Sequence, residues 1–264
     1  MREIKLLSSA QNDTIKHLAR LLQHGRDRRK QGVMVLEGIH LCQTCLDAGG
    51  VFDQVFVNQQ ALPDAEVQAL LAALPASTVV FALDPGLCAK VSALTSAPEI
   101  LALCHRPRAP KALTDDCRLL LEDIQDPGNL GTILRSAAAS GVTQVYLSAG
   151  CVDVYSPKVL RAGMGAHFAL ALHESADLLD ELQGFSGTKL VTSLAGEYSL
   201  YAQDLTVPVA FVFGNEGAGV SAALHAVADA KVRIPMPGSA ESLNVAMAAT
   251  LCLFERVRQR ENLA

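Results

Sequence analysis

The 264-residue chain has no run of about 18 apolar residues, so no membrane-crossing helix of ordinary length is expected. Its opening, MREIKLLSSAQNDTIKH, lacks an apolar core followed by a small-residue cleavage site, and no secretory leader is expected. No segment repeats at a fixed period and no tract is of low complexity, which excludes solenoids and linker-like arrays. Paired cysteine spacing is also missing. The seven cysteines are odd in number and scattered, and they read as free thiols of a reducing compartment, the cytoplasm. Cys42 and Cys45 form the only close pair. A zinc site needs two further ligands, and Cys88 and Cys104 show no matching spacing. A redox motif belongs at a helix start after a strand, whereas this pair falls inside a helical pattern, so core packing is expected.

An excess of basic charge is lacking too: 22 Lys and Arg stand against 27 Asp and Glu, a net charge of −5. Local distribution outweighs that total for a nucleic-acid partner. Lys16, Arg20, Arg26, Arg28, Arg29 and Lys30 face a single acid, Asp27, and His105, Arg106, Arg108 and Lys111 form a second cluster. A solvated helix end and a linker would explain both equally well.

Half of the residues are hydrophobic, ample for packed cores, and the length suits two modest domains. The N-terminal third opens on a helix with Ile15, Leu18, Ala19 and Leu22 on one face. Strand patterns follow at Val33 to Leu36, Gln54 to Val57, Thr78 to Ala82 and Ile100 to Cys104, with helical patterns at Ile39 to Ala48, Ala65 to Ala73 and Pro85 to Ser92. This alternation predicts an α/β domain over residues 1–104. Residues 105–116, HRPRAPKALTDD, read as a linker.

Over 117–264 the alternation restarts. Strands are expected at Leu119 to Glu122, Val145 to Ser148, Phe168 to Leu172, Leu190 to Ser193, Val209 to Phe213 and Val232 to Ile234, and a helix from Leu130 to Ser140. A last helix from near Ser242 to about Arg260 is apolar on every side between Val245 and Phe254, which predicts burial all round, within the domain or against a second subunit.

Three segments place glycines and polar residues against buried strands. In LLLEDIQDPGNLGTILRSAAASG (residues 119–141) Asn129 lies at a helix start, where it reads equally as a cap, and Arg135 follows six residues later among small and apolar neighbours. In VAFVFGNEGAGVS (209–221) Gly214, Gly217 and Gly219 allow close backbone approach to a ligand. Their G-x-x-G-x-G spacing is not that of a dinucleotide loop, and Glu216 would repel a pyrophosphate, which disfavours a nucleotide-dependent oxidoreductase. In RIPMPGSAESLNVAMAAT (233–250) Ser242 and Asn244 open the last helix after a two-proline loop, and helix capping accounts for only one of the two.

Together, Asn129 with Arg135, Gly214-Asn215-Glu216-Gly217-x-Gly219, and Ile234-Pro235-Met236-x-Gly238 through Ser242-Leu243-Asn244-Val245 resemble the SpoU (TrmH-like) RNA methyltransferases of the SPOUT superfamily. The resemblance covers residues 117–260, and VLEGIHLCQTCLDAG (35–49) is similar to the family's substrate-binding domain. It implies an α/β fold with a C-terminal trefoil-knotted methyltransferase domain, a homodimer through that domain, S-adenosylmethionine as methyl donor, and no metal. It further implies a ribose 2′-hydroxyl in RNA as substrate, ribosomal RNA before tRNA. Loops around 192–195, 214–219 and 234–243 would hold the donor, with Gly214, Ile234, Leu243, Ser193, Leu194 and Asn215 as contacts. Arg135, Asn129, Glu216, Ser242 and Asn244 would carry the catalytic site, with Glu216 orienting Arg135 or Asn129. Arg26, Arg28, Arg29 and Lys30 are expected to touch RNA. A non-catalytic RNA-binding dimer is the alternative, and the intact set of five catalytic candidates argues against it.

Overall fold

The computed structural model describes residues 4–92, 97–108, 113 and 116–261. The chain divides into two compact units, one of residues up to Pro107 with Tyr155–Arg161, the other of Arg108–Val154 with Ala162 onward. Of the expected linker 105–116, residues 109–112 and 114–115 lie outside the described residues, Lys111 among them.

In the first unit, strands β1 (Ile4–Leu7), β2 (Val33–Glu37), β3 (Phe52–Asn58), β4 (Val79–Leu83) and β5 (Ile100–His105) form one sheet in the order β1-β4-β3-β5-β2. β5 runs antiparallel to β2 and β3, while β1 and β3 run parallel to β4. Helices α1 (Asp13–Gln23), α2 (Gly25–Gln31), α3 (Ile39–Asp47), α4 (Ala65–Ala73) and α5 (Pro85–Val91) connect them. α1 starts at Asn12, whose side chain accepts from the Thr14 N–H, and buries Ile15, Leu18, Leu21 and Leu22. These pack with Phe56, Leu83, Leu87 and Leu101 into a core. Cys42 and Cys45 are buried free thiols of α3, in keeping with packing.

Two expectations need correction here. β1 was not anticipated, because it is four residues long, lies at the sheet edge and is largely exposed, so it carries no alternation to read. His105 closes β5 instead of opening a linker, paired with Val33 across the ladder.

The second unit is a seven-stranded sheet, parallel throughout. Its strands are β6 (Cys117–Leu121), β7 (Gln144–Leu147), β8 (Ala171–His173), β9 (Thr188–Thr192), β10 (Tyr198–Ser199), β11 (Val209–Phe213) and β12 (Ala230–Arg233), in the order β10-β12-β9-β11-β6-β7-β8. β11 lies between β9 and β6 with all five residues buried, which is why VAFVF is continuously apolar: a parallel strand covered on both faces has no solvent side to mark. α6 (Pro127–Ala139), α8 (Leu178–Gln183), α9 (Ala222–Val227) and α10 (Val245–Glu261) complete the elements of this unit, and α7 (Pro157–Gly163) lies for the most part in the segment Tyr155–Arg161 of the first unit. Leu178, Leu182 and Leu224 bring α8 and α9 onto Leu120, Val191 and Val212 of the sheet. α6 and α10 pack on each other, and Ser136 Oγ lies 2.7 Å from Thr250 Oγ1 between them.

The polar end of α10 is anchored. Arg256 donates to the Asp116 carboxylate at 2.9 Å and carbonyl at 3.1 Å, Arg260 pairs with the same carboxylate, and Gln259 bonds the Leu205 N–H and the Gln203 carbonyl. The helix is not buried all round within the chain. Ala246, Ala249, Cys252 and Leu253 face inward, but Met247, Leu251 and Phe254 are 47, 40 and 44% exposed. Between 168 and 172, a 3-10 turn over Ala166–Phe168, entered from the left-handed Gly165, precedes a shorter strand than expected, β8.

His167 is fully buried, its Nε2–H donating to the Val154 carbonyl at 2.8 Å, and burial pushes its pKa down to about 4. The folded protein therefore resists protonating a group that the unfolded chain protonates near pH 6.5. This stability is complete above pH 6.5 and is lost as pH falls toward 4. Chemical denaturation at pH 7 and pH 4 is expected to show a loss of about 3 kcal/mol attributable to this residue. His167→Gln should be less stable at pH 7 but should lose that much less of its stability on acidification; an unchanged difference between the two pH values would reject the assignment.

Candidate active site

Ligand crevices of parallel α/β sheets form beyond the carboxyl ends of the strands. Here a cavity of about 620 Å³ lies beyond β9, β11 and β12, within the second unit. Its walls come from Ser193 and Leu194 after β9, residues 214–219 after β11, Ile234 and Met236 after β12, and Ser242 to Val245 at the head of α10. All six expected donor contacts, Gly214, Ile234, Leu243, Ser193, Leu194 and Asn215, thus line one space.

The β11 loop folds back on itself around Asn215. The Asn215 Oδ1 accepts from the Gly217 and Ala218 N–H groups at 2.9 and 3.0 Å, and its Nδ2 donates to the Asp123 carbonyl at 2.9 Å. The return requires glycine at 214, because a Cβ there would lie 2.2 Å from the carbonyl carbon and oxygen of Gly219. Gly219 itself has φ +71°, where side chains other than glycine are strained.

Three expected catalytic residues meet in a directional hydrogen-bond chain. Glu216 Oε1 accepts from Asn129 Nδ2 at 3.0 Å, and Asn129 Oδ1 accepts from Asn244 Nδ2 at 2.8 Å. Asn244 Oδ1 in turn accepts from the Ala246 and Met247 N–H groups at the start of α10, at 2.9 and 3.3 Å. The order cannot be reversed. A carboxylate only accepts, so Asn129 must turn its NH2 to Glu216, leaving its oxygen for Asn244 and the Asn244 oxygen for the helix. Asn244 is therefore both the cap of α10 and a member of the chain, and the helix starts at Val245, not near Ser242. Ser242 lines the cavity. Of its two expected partners, Glu216 holds Asn129 and not Arg135.

Asn129 is not the cap of α6. That place belongs to Asp126, whose carboxylate accepts from the Asn129 N–H at 2.7 Å, with Pro127 opening the helix. An acid followed by proline is a start signal that marks this cap in the sequence. Arg135 is exposed on α6 and does not line the cavity of its own chain. Asp123, missed earlier, has φ +54°. It is held there by its N–H to Ser148 Oγ at 2.9 Å, by the Ser148 hydroxyl to its Oδ1 at 2.6 Å, and by Asn215 on its carbonyl. No periodicity marks such a residue. His225 and Cys252, also unassigned by sequence, line the cavity. Burial, then Lys231, pushes the His225 pKa down; burial pushes the Cys252 thiol well up, so it stays protonated and is a poor nucleophile.

In the first unit, Arg26, Arg29 and Lys30 are exposed on α2, but Arg28 is buried. Its Nη1 donates to the Leu21 and Leu22 carbonyls at 2.5 and 3.1 Å, satisfying the end of α1 where the chain breaks into α2. The expectation that Arg28 touches RNA is corrected accordingly: the short helix turns this one cation back onto the protein.

A cofactor-sized cavity at the ends of a parallel sheet, walled by a glycine return and bordered by a carboxylate-amide chain, is the form of site in which α/β enzymes hold a cofactor. The SpoU rRNA Methylase family model matches residues 116–254 and the MRM3-like substrate binding domain matches residues 12–102, and the chain belongs to the SpoU rRNA methylase family. It is 34% identical to an uncharacterized tRNA/rRNA methyltransferase of Synechocystis, over 98% of this chain and 95% of that one. It is 31% identical to the Bacillus subtilis 23S rRNA (guanosine(2553)-2′-O)-methyltransferase, over 95% of this chain and 98% of the relative. The solved structure of the SpoU methyltransferase AviRb from Streptomyces viridochromogenes with S-adenosylmethionine matches with TM-score 0.84 at 28% identity, covering 95% of this chain and 99% of that one.

The hydrogen-bond chain has a double-variant test. Asn129→Asp sets two carboxylates against each other at an exposed hydrogen bond and should cost about 0.2–1 kcal/mol in thermal unfolding. Adding Glu216→Gln restores a donor facing Asp and should recover at least half of that loss. Additive losses in the double variant would show that the two side chains do not meet.

Proposed function

We propose that this chain is an S-adenosylmethionine-dependent RNA methyltransferase that methylates a ribose 2′-hydroxyl, in ribosomal RNA. The observation that carries this is the single cavity in which the six donor contacts and Glu216, Ser242 and Asn244 stand together. The Bacillus subtilis relative is named for 2′-O-methylation of 23S rRNA, and the AviRb structure holds the methyl donor. The residues fit that donor. Gly214 lets the loop return pack tightly at the cavity wall, Ile234, Met236 and Leu243 supply apolar surface, and Ser193, Asn215 and Ser242 offer polar atoms.

When bound, S-adenosylmethionine supplies a methyl group on a sulfonium, an electrophile that needs no further activation. The protein's part is to align a weakly acidic hydroxyl with that methyl and to stabilise the charge left as its proton departs. A guanidinium offers donors and no acceptor, so we assign Arg135 not as base but as the fork that binds a phosphate beside the target ribose or the forming alkoxide. Glu216 fixes the Asn129 amide, and Asn129, Ser242 and Asn244 form the polar side of the cradle.

The same reading takes the loops after β9, β11 and β12 as parts of a trefoil knot. A second copy of the chain covers Met247, Leu251 and Phe254, a stripe on one side of α10 whose exposure supports a homodimer through this unit. The first unit binds RNA through Arg26, Arg29 and Lys30. Seven free cysteines support a cytoplasmic location, and among the described residues no helix is long and apolar enough to cross a membrane.

S-adenosylhomocysteine is expected to bind at about micromolar Kd. Calorimetry with no heat at millimolar ligand would reject the methyltransferase reading. Arg135→Ala should keep that affinity but lower single-turnover methyl transfer by about two to three orders of magnitude. Near-normal transfer with donor and RNA saturating would remove Arg135 from the site.

Replacing Arg26, Arg29 and Lys30 with Ala should weaken RNA binding and flatten its salt dependence by about 0.7–0.9 per lost contact, leaving donor affinity unchanged. An unaltered salt slope would make them plain solvated surface.

A further inference from the structure

One exposed segment of the second unit starts at Leu194 in the donor cavity and continues into residues with no role in the site described above. Leu194, Tyr198 and Tyr201 are 64, 52 and 50% exposed, three large apolar side chains within eight residues. Among the described residues the other exposed aromatic is Phe254, on α10. Scattered exposed apolar residues need no explanation, but a contiguous group on one rigid segment marks an interaction surface.

The segment is held firmly. A Cβ on Gly196 would lie 2.6 Å from the backbone of Val232, so the turn lies flat against β12. Arg233 Nη1 donates to the Gly196 and Glu197 carbonyls at 2.7 and 3.1 Å, and Ser199 Oγ accepts from the Tyr201 N–H at 3.3 Å. The segment also begins in the cavity and stays beside it. Leu194 lines the cavity, and Tyr198 pairs with Val232 and Ser199 with Arg233, both cavity-lining residues, across one ladder spacing of about 4.8 Å.

A 2′-hydroxyl reaches a donor in this cavity only if its nucleotide leaves regular helical stacking, and the bases so exposed need a new surface. Aromatic side chains supply it in sequence-tolerant RNA recognition. We propose, resting on the RNA methyltransferase reading above, that Tyr198 and Tyr201 form a stacking platform at the rim of the donor cavity for bases of the RNA substrate. The Arg233 guanidinium beside them adds a positive charge suited to the phosphates of the stacked strand.

The chain offers a direct readout. It has four tyrosines and no tryptophan, and Tyr146 and Tyr155 are buried, so a change in accessible tyrosine emission reports on Tyr198 and Tyr201. Titrating the full chain with oligoadenylate should quench that emission. Tyr198→Ala with Tyr201→Ala should weaken oligoadenylate binding by about 5- to 100-fold, while both Phe variants stay near wild type. S-adenosylhomocysteine affinity should be unchanged in every variant, which also certifies that they fold. Absent quenching, or a double Ala variant that binds oligoadenylate like wild type, overturns the platform. So does a double Ala variant whose mass in solution falls to that of one chain, since the tyrosines then contact a second copy. In each of these outcomes wild-type donor binding and methyl transfer stand, whereas their loss would count against the functional reading itself.

Discussion

The amide of Asn129 is the point on which the site depends, because it can satisfy Glu216 and Asn244 in only one orientation. Its two bonds join residues 87 and 115 positions apart, bringing the head of α6, the return after β11 and the head of α10 to one place. Each bond is modest alone. Their value lies in direction: the carboxylate sets the Asn129 amide, which sets the Asn244 amide, which leaves an oxygen to cap the longest helix of the unit.

The sheet makes this junction possible. β11 is buried between β9 and β6, so the chain leaves it at a fixed point and must turn back at once. Gly214 permits the return and Asn215 braces it from both sides, onto its own loop and onto Asp123. Anchored by Asp116 through Arg256, α10 cannot slide along the sheet, and its capped end stays at the cavity. The cavity is thus preorganised by backbone packing, with few charged groups, which suits a cofactor carrying its own reactive methyl.

Recognition of RNA falls on a chain with net charge −5, which the distribution of its charges reconciles. In α2, three of four clustered cations face water and the fourth, Arg28, serves the helix joint behind them. At the cavity, Tyr198 and Tyr201 are exposed on the segment whose backbone carbonyls hold the Arg233 guanidinium.

Much of the fold was legible in the sequence. Val209–Phe213 and Ala65–Ala73 were read to the residue, because one is an unbroken buried run and the other a clear helical period. The residues that line the cavity and the Asn129, Glu216 and Asn244 set were legible as motifs, since turn chemistry and a family pattern depend on local residue types. What escaped was whatever depends on neighbours. β1 has no pattern of its own until β4 lies beside it. Whether a basic residue meets solvent or a carbonyl is not written in its spacing, so Arg28 read like Arg29. Asn129 read equally as a catalytic candidate and as a cap until Asp126 occupied that place. Residue type and periodicity determined which segments are helix, strand and polar turn, because those preferences act over a few bonds. Only the tertiary structure decided which amide faces which carboxylate and which apolar side chains stay in water, because burial and hydrogen-bond direction are set by residues a hundred positions away.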